Sequence, residues 1–522
     1  MSQVGNMPSN ERALHALNRV GFGPAPGDID RADQIGADQW ISRQLDSQSI
    51  PEPPALTANL VAMDTLRMSP IDLFTTYWMP VQQAKGNMMA RRQARQRANV
   101  VVQEATQARL MRALYSPRQL HEVMTAFWFN HFNVFARKGP CAVWVGAYEE
   151  EAIRPHALGR FRDLLGATAK HPAMLFYLDN WQNTGPDSPG KRGPFQGINE
   201  NYAREVMELH TVGVNGGYRQ ADVTALAHIL TGWGIRRRRF ARAGGGGRFG
   251  ANPWWMRRRA PLMSGAVIDG NGFFFDPRRH DFGDQIFLGR TFQGSGIAEG
   301  EAALDMLAAS PATANHISYQ LAQYFVADDP PPALVTRMAA RFARTNGDIR
   351  ATLEALFASP EFWDTDAFGA KFKTPYEFVI SSARLTGARV SNYRPLAGEM
   401  ALLGMPLYGC LTPDGYKNTR EAWLNPDAMM MRLSFASALG MGHLPIETPP
   451  FEELSMEPAH RVTDGTIQPT RFVAARMQPP EPAQLAMAFG GAFSQSTSDA
   501  IGAAPVNLRS ALILGSPEFM TR

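Results

Sequence analysis

One stretch of the chain, residues 199–210, is richer than any other in side chains that can do acid–base or metal chemistry. Its sequence, NENYAREVMELH, holds three glutamates, an arginine, two asparagines and a histidine. Carboxylates crowded into one patch raise one another's pKa, and a carboxyl with a raised pKa is typical of a general acid or a metal site. The stretch therefore predicts a polar functional site, with a solvated ionic helix face as the plainer alternative.

A helix over this stretch sorts the side chains by face, because successive residues turn by about 100°. Asn199 is expected to cap its N-terminus. His210 falls on the packing face, so it can join the carboxylates only if the helix ends or distorts near Thr211. The polar face carries five residues: Glu200, Asn201, Arg204, Glu205 and Glu208.

Further candidates lie outside this helix. His131 lies on the aromatic face of a helix predicted over 117–136, where a satisfied core histidine is the usual alternative to a ligand. Asp222 opens the next helical pattern, and its simplest role is a cap. His280 and Asp281 adjoin each other in a loop, where they can point at a common site or only shape a turn.

Two chemistries fit these residues. The first is a divalent metal site for zinc, manganese or iron, with Arg204 as an electrostatic partner. Its candidate ligands are His131, Glu205, Glu208, His210 and His280. The second is glycoside cleavage by two carboxylates that act as acid and base. The sequence leaves that pair open among Glu200, Glu205, Glu208, Asp222 and Asp281.

The elements that must position these residues are predominantly helical. Apolar residues recur at helical spacing through most of the chain, and strands and helices do not alternate. We expect a mainly α fold with one small β-hairpin or extended loop near 270–292. Residues 1–445 are predicted to form a large multi-helical main body. A Pro-rich segment and C-terminal helices, 446–522, are predicted to pack on it.

Continuous helical regions are predicted over 28–45 and 70–115 because the apolar pattern runs through both. The two cysteines, Cys141 and Cys410, are too few and too far apart for a disulfide framework, so we expect buried free thiols.

The formal net charge of +4 comes from one insertion. Residues 236–259 hold nine arginines and no acidic residue, which leaves −5 for the remainder. This Gly- and Arg-rich insertion, 236–265, interleaves arginine with Phe240 and Trp254, a mixture that suits single-stranded nucleic acid. Because the body is acidic and carries no nucleic-acid motif, nucleic-acid binding is the weaker hypothesis.

No apolar run approaches the roughly 18 residues that span a bilayer. The first residues, MSQVGNMPSNERALHAL, lack the basic and apolar regions of a leader, so a cytoplasmic location is expected. Export is the alternative if a leader has been removed.

Five motifs stand in order along the chain: ALHALNRVGFGP (13–24), LHEVMTAFWFNHF (120–132), NENYAREVMELHTVGVNGGYRQADVTALAHILTGW (199–233), FDPRRHDFGDQIFLG (275–289) and GMPLYGCLTPDGYKNTREAWLNPDAMMMR (404–432). They resemble the motifs of a bacterial domain-of-unknown-function family, DUF1800. The family has no assigned activity, so the resemblance implies kinship and no particular reaction. Many of its members resemble exported proteins, whereas the insertion at 236–265 resembles no family motif.

The resemblance also implies that the polar candidates belong to the family's motifs. They are His131, Asn199, Glu200, Asn201, Arg204, Glu205, Glu208, His210, Asp222, His280 and Asp281. We expect a hydrolase or lyase that acts on a carbohydrate or polyanionic substrate, with metal assistance as an option. The alternative is a non-catalytic binding or assembly protein whose ionic cluster is structural. The oligomeric state is left open.

Overall fold

The computed structural model describes residues 7–236, 267–447 and 477–522. Most of these residues are helical, and the strands are few and short, so the predicted mainly α fold is confirmed. The predicted nucleic-acid surface of the arginine-rich insertion lies outside the described residues, apart from Arg236. Most of the predicted Pro-rich segment, from 448 to 476, lies outside them as well.

The helices before the central stretch are α1 (Ser9–Val20), α2 (Asp28–Ile35), α3 (Ala37–Leu45), α4 (Pro54–Val61), α5 (Pro70–Leu73), α6 (Met79–Gln83), α7 (Met88–Tyr115), α8 (Gln119–His131), α9 (Val145–Tyr148), α10 (Phe161–Lys170) and α11 (Pro172–Tyr177). The central stretch forms α12 (Asn201–Glu208) and α13 (Gln220–Ile229). The strands are β1 (Trp233–Ile235), β2 (Val267–Ile268), β3 (Phe273–Phe275), β4 (Gln285–Phe287) and β5 (Arg290–Phe292).

The remaining helices are α14 (Ile297–Ala308), α15 (Pro311–Phe325), α16 (Pro332–Arg344), α17 (Ile349–Phe357), α18 (Pro375–Thr386), α19 (Arg394–Leu402), α20 (Arg420–Trp423), α21 (Pro426–Gly440), α22 (Pro482–Ala488), α23 (Gln495–Ala503), α24 (Val506–Leu514) and α25 (Pro517–Met520). α22 contacts α18, and α24 packs on α21. This packing is close because Gly440 faces α24, where a Cβ would lie 2.6 Å from the backbone nitrogen of Ala511. The division of the chain near residue 445 stays a prediction.

Both continuous helical regions that the apolar pattern predicts are broken. Gly36, with φ of 82°, separates α2 from α3. Gly86, with φ of 99°, lies between α6 and α7. Glycine adopts this left-handed conformation at little cost, so it ends a helix even where the apolar periodicity continues.

Two π-helical turns also interrupt the α-helical path. One, Phe74–Trp78, joins α5 to α6, and the other, Glu149–Ile153, follows α9. Each turn lies just before a proline, Pro80 and Pro155 respectively. Proline donates no backbone hydrogen bond and its ring clashes with the carbonyl four residues earlier. A widened turn accommodates that clash, so a local feature of the sequence explains both turns.

The strands form two small antiparallel sheets. One has the order β1-β3-β2, and the other is the hairpin β4-β5. The predicted β element near 270–292 is present, but its two apolar parts do not pair with each other. Phe275 lies opposite Trp233 of β1, whereas Phe287 lies opposite Arg290. Leu288 and Gly289, both with positive φ, form the two-residue turn between β4 and β5.

A buried ionic network joins α7, α8 and the second π-helical turn. Arg109 Nη1 donates to Glu149 Oε2 at 3.2 Å, and the hydroxyl of Tyr408 donates to the same oxygen at 2.9 Å. Arg154 donates to Glu122 at 2.7 Å and to Glu149 at 3.2 Å. Burial alone would raise the pKa of Glu122, but Arg154 outweighs it and holds that pKa well below the usual range. Glu122 thus stays charged beside an arginine.

Both cysteines, Cys141 and Cys410, are buried free thiols, as predicted. Burial raises the pKa of the Cys141 thiol far above its ordinary value. Within the described ranges, no helix combines the length and the apolarity needed to cross a membrane.

Candidate functional site

At both ends of helix α12, nearby polar side chains form hydrogen bonds with backbone groups of the helix. Asn199 Oδ1 accepts a hydrogen bond from the N–H of Asn201 at 3.0 Å, but Asn199 lies one residue before the N-cap, which is Glu200 and makes no side-chain cap hydrogen bond. At the other end, the N–H groups of Leu209 and His210 both donate to the carbonyl of Glu205. The hydroxyl of Thr211 donates to the carbonyl of Val206 at 2.6 Å. The helix therefore stops at Glu208, and the next residues turn inward.

The outer face of α12 carries a row of charges that ties it to α13. Arg204 lies between two glutamates, 3.1 Å from Glu200 and 3.5 Å from Glu208. Glu200 also accepts hydrogen bonds from Thr224 at 2.7 Å and from Gln220 at 2.9 Å, both on α13. The Thr224 hydrogen bond is the main cause that lowers the pKa of Glu200. Glu200 is thus a fixed anion that holds two helices together.

Glu205 differs from its neighbours on the same helix. It is half-buried, and among the described residues its carboxylate makes no hydrogen bond and no ion pair. Burial raises its pKa, and the nearby carboxylates of Glu208 and Asp414 raise it further. Arg204 lowers it only in part, because that guanidinium is shared between Glu200 and Glu208. A carboxyl in these surroundings tends to hold its proton.

A cavity of about 710 Å³ lies beside the C-terminal end of α12. Glu208 and Asp414 are its acidic lining residues, and Lys417 is its cationic one. Lys417 Nζ donates to Asp414 Oδ2 at 2.7 Å, so its charge is already balanced. The rest of the polar wall is amide, imidazole, hydroxyl and phenol: Asn130, His131, Asn215, Asn315, His316, Tyr319, Gln320, Gln323, Tyr416, Asn418 and Thr419.

One wall of this cavity is the loop that carries Asp414, and α8 holds it in place. Asn130 Nδ2 donates to the carbonyl of Tyr416 at 2.8 Å, and Asn130 Oδ1 accepts from the N–H of Tyr416 at 2.7 Å. Gly415 has φ of 69°, and a Cβ there would lie 2.2 Å from the carbonyl oxygen of Asn130. Only glycine permits so close an approach, which places Asp414 near Glu205.

Three histidines cluster below the end of α12. His131 Nε2 donates to the carbonyl of His210 at 3.1 Å, and His316 Nε2 donates to the carbonyl of Leu209 at 3.3 Å. Burial lowers the pKa of His131 to about 3 and lowers those of His210 and His316. All three rings are therefore neutral near neutral pH. His131 and His316 provide donors for carbonyls that the ended helix leaves unpaired.

His210 is fully buried, as the early end of α12 requires. Its ring lies 4.9 Å from that of Phe132 and 5.9 Å from that of His131, measured between centroids. Its Nε2 is buried and has no hydrogen-bond partner among the described residues. His210 thus lies beneath the carboxylates of α12 and does not share their face.

The adjacent residues His280 and Asp281 point to different surroundings. His280 is buried, and its Nδ1 donates to the carbonyl of Thr231 at 2.9 Å. Its Nε2 lies 2.7 Å from Glu299 Oε1, but the two atoms do not form a hydrogen bond. Asp281 faces outward, where its Oδ2 lies 2.5 Å from Nδ1 of His228. Burial would raise the pKa of Asp281, but the hydrogen bonds from the Gly283 N–H and from His228 lower it.

Asp222 serves as the cap that its position predicts. Its Oδ2 accepts from the backbone N–H of Arg219 at 2.8 Å and completes a capping box on α13. Its Oδ1 accepts from the N–H of Leu288 at 2.8 Å, which fixes the β4-β5 turn against α13. Both oxygens have backbone partners, so the geometry gives Asp222 a positioning role.

The five predicted metal ligands are not brought together. His131 and His210 adjoin, Glu205 and Glu208 lie on α12, and His280 has its own buried partner in Glu299. Within the part of the chain that the structure describes, no three histidine, cysteine, aspartate or glutamate side chains form a group able to hold a metal. Metal assistance stays a prediction, and the structure supplies no ligand set for it.

Sequence reasoning missed several residues of the site. Asp414 lies within the motif at 404–432, where the turn sequence PDGY indicates a carboxylate in a loop. His316 and Glu299 lie within helices, and no motif or spacing in the sequence distinguishes them from the other polar residues there. His228 lies opposite the apolar face of its helix, and only its contact with Asp281 distinguishes it.

The fold and the site define a class of protein: a mainly helical one with an acidic, amide-lined cavity beside a glutamate-rich helix. The chain belongs to the family described as protein of unknown function (DUF1800), whose model matches residues 15–521. The match confirms the kinship that the five motifs indicate. No curated protein and no solved structure matches the chain.

Proposed function

We propose that the cavity beside α12 binds a carbohydrate and that the protein cleaves it as a hydrolase or lyase. The observation that carries this proposal is the contrast between Glu205 and Glu208. Glu205 is half-buried with a raised pKa, whereas Glu208 lies beside Arg204 and lines the cavity. A carboxyl with a raised pKa next to a second carboxylate that is paired with an arginine is an arrangement suited to an acid and a base.

A neutral carbohydrate fits the lining better than a polyanion does. The described lining residues carry two carboxylates and one lysine, and that lysine is paired with Asp414. The histidines of the wall add no charge, because burial lowers their pKa values. Amides, hydroxyls and phenol rings are the groups that hydrogen-bond and stack on sugars, whereas a net negative wall repels uronate chains.

The roles follow from the two surroundings: the carboxyl with the raised pKa is the acid, and the carboxylate beside Arg204 is the base. In a hydrolase, Glu205 donates its proton to the leaving glycosidic oxygen while Glu208 takes a proton from the attacking water. A lyase reaction needs the acidified C5 proton of a uronate, so it applies to the acidic chains only: Glu208 removes that proton, and Glu205 again protonates the leaving oxygen. Asp414 has the same role in both schemes, since its charge adds to burial and to Glu208 in raising the pKa of Glu205.

The test is cleavage of purified polysaccharides by the full chain, with wild type, Glu205→Gln and Glu208→Gln compared. Neutral chains (cellulose, xylan, chitin) and acidic chains (alginate, polygalacturonate) form the panel. New reducing ends indicate cleavage, and ultraviolet absorbance of an unsaturated product identifies a lyase. We expect cleavage of a neutral chain and its loss in both variants. Cleavage that both variants retain would contradict the proposal.

Glu361→Gln is a matched control, because Glu361 pairs with Arg337 at 2.5 Å and neither lines the cavity nor lies on α12 beside it. It should cleave like wild type. Dialysis of wild type against a chelator tests the optional metal, since a metal-assisted enzyme loses turnover and regains it with zinc, manganese or iron.

A non-catalytic role is the second candidate, and Glu200 is the observation that favours it. Its carboxylate has three side-chain partners, as expected for a group that holds α12 to α13. If Glu205 and Glu208 were structural in the same way, their glutamine variants would lose stability to about the extent expected of Glu200→Gln, and wild type would cleave no chain of the panel.

A further inference from the structure

A second cavity, of about 670 Å³, lies between the helical path from α5 to α6, helix α11 and strand β1. It shares no lining residue with the cavity beside α12. Five aromatic side chains form much of its wall: Phe74, Trp78, Trp144, Phe176 and Trp181. Its volume is within the range of about 300–1,000 Å³ that is usual for small-molecule sites.

Four of the five rings are packed in two stacked pairs. Phe74 lies against Trp144 with centroids 5.5 Å apart and planes inclined by 19°. Phe176 lies against Trp181 at 5.5 Å and 7°. Trp78 is half-buried and packs against no other aromatic ring among the described residues. The wall is therefore rigid, and it presents one indole to the cavity that a flat ligand can stack on.

The charge of this cavity is opposite to that of the first. Of the described residues that line it, two are cationic, Lys85 and Arg236, and none is acidic. Both cations are exposed, and neither side chain has a hydrogen bond or ion pair with a described residue. Such cations can meet the charged end of a ligand whose apolar body lies against the rings.

We propose that this cavity binds a flat, apolar organic anion: an aromatic or fused-ring body that carries a carboxylate, sulfonate or phosphate. The ring stacks on Trp78 and is buried among the aromatic pairs, which removes apolar surface from water. The anionic group lies at the rim between Lys85 and Arg236. This site is independent of the carbohydrate proposal, since no residue of the α12 cavity takes part.

The experiment uses two fluorescent naphthalene probes and the full chain. One is 8-anilinonaphthalene-1-sulfonate, which is anionic, and the other is N-phenyl-1-naphthylamine, its neutral relative. Titrations compare wild type, Trp78→Leu, the double variant Lys85→Gln/Arg236→Gln, and Trp40→Leu. Trp40 is a matched control, because it is a half-buried indole that lines a different cavity. Far-ultraviolet circular dichroism checks that each variant is folded.

We expect saturable binding of one sulfonate probe per chain, weakened about tenfold or more by Trp78→Leu and unchanged by Trp40→Leu. The double variant should weaken the sulfonate about tenfold and leave the neutral probe unaffected. It alters only exposed side chains, so it keeps the test valid if Trp78→Leu fails to fold.

Three results would overturn the proposal. One is equal sulfonate affinity in wild type and both cavity variants, which would place the probe elsewhere. Another is an equal loss of affinity for the sulfonate and the neutral probe in the double variant, which would show that the two cations do not recognise the anionic group. The third is a tenfold gain in affinity after deletion of residues 241–262, which would show that the chain itself occupies the cavity.

Discussion

The buried network around Arg154 and the cluster on α12 are both dense in glutamate and arginine, yet their charges are balanced differently. In the buried network, Glu122 and Glu149 each lie beside a guanidinium. On α12, Arg204 pairs with Glu200 and Glu208, and Glu205 forms no ion pair with any of the described residues. The pKa of Glu122 is lowered, while that of Glu205 is raised.

This difference separates a structural role from a reactive one. A fully paired buried network is costly to disturb, because removal of one partner leaves an uncompensated charge in the core. A carboxyl that is partly buried beside like charges costs the fold some stability, and the raised pKa that results suits a proton donor. Substitution in the buried network should therefore lower stability. Substitution of Glu205 should instead abolish cleavage and leave stability unchanged or higher.

The largest expected effect is that of Arg154→Met. It removes the partner of Glu122 and one partner of Glu149, so the free energy of unfolding should fall by about 3–5 kcal/mol. Denaturant unfolding followed by circular dichroism measures this loss. Arg337→Met, which breaks the exposed pair with Glu361, is the control and should cost at most about 1 kcal/mol. Equal losses would remove the distinction between buried and exposed pairs.

A smaller effect with a definite sign is expected for Glu205→Gln across pH. The raised pKa means that the folded chain keeps a proton which the unfolded chain releases above the ordinary value of 4.5. The contribution of Glu205 to the free energy of unfolding is therefore present at lower pH and is lost as pH rises through the raised pKa. Relative to Glu205→Gln, wild type should therefore lose stability as pH rises from the ordinary pKa through the raised pKa of Glu205.

Glu361→Gln reverses the sign of that pH dependence. Burial would raise the pKa of Glu361, but its hydrogen bond with Arg337 lowers it. Wild type should therefore gain stability relative to Glu361→Gln as pH rises through the lowered pKa, and lose it again as pH falls. The stability difference between wild type and variant should change with pH in opposite directions for the two substitutions. If it changes in the same direction for both, the pKa of Glu205 is not raised.

The smallest effect is expected for Glu200→Gln. Glu200 is partly exposed, so the loss of its ionic contacts with Arg204 should cost about 1 kcal/mol or less. Amide hydrogen exchange in α12 and α13 should rise, because Glu200 accepts hydrogen bonds from Gln220 and Thr224. Unchanged exchange in both helices would mean that the carboxylate does not hold them together.

The local parts of this arrangement were predictable from sequence. Helical periodicity placed Glu205 and Glu208 on one face and His210 on the other. The capping role of Asp222 followed from its position at the start of a helical pattern. These features depend on residues within one or two turns of each other, where backbone geometry fixes which side chains share a face.

The long-range parts were not predictable. Asp414 lies close enough to raise the pKa of Glu205 because Gly415 lets its loop approach Asn130. His280 and Asp281 are neighbours in sequence, yet the loop sends one to Glu299 and the other to His228. Such pairings depend on the tertiary packing of α8, α13 and α14, for which the sequence offers no local signal.

The measurement that tests the central claim most directly is made on a single preparation of Glu205→Gln. Its melting temperature and its cleavage of the neutral polysaccharide that wild type degrades are recorded together. Loss of cleavage with a melting temperature equal to or above that of wild type is the predicted result. A melting temperature that falls as far as that of Arg154→Met, or cleavage that persists at the wild-type rate, would contradict it.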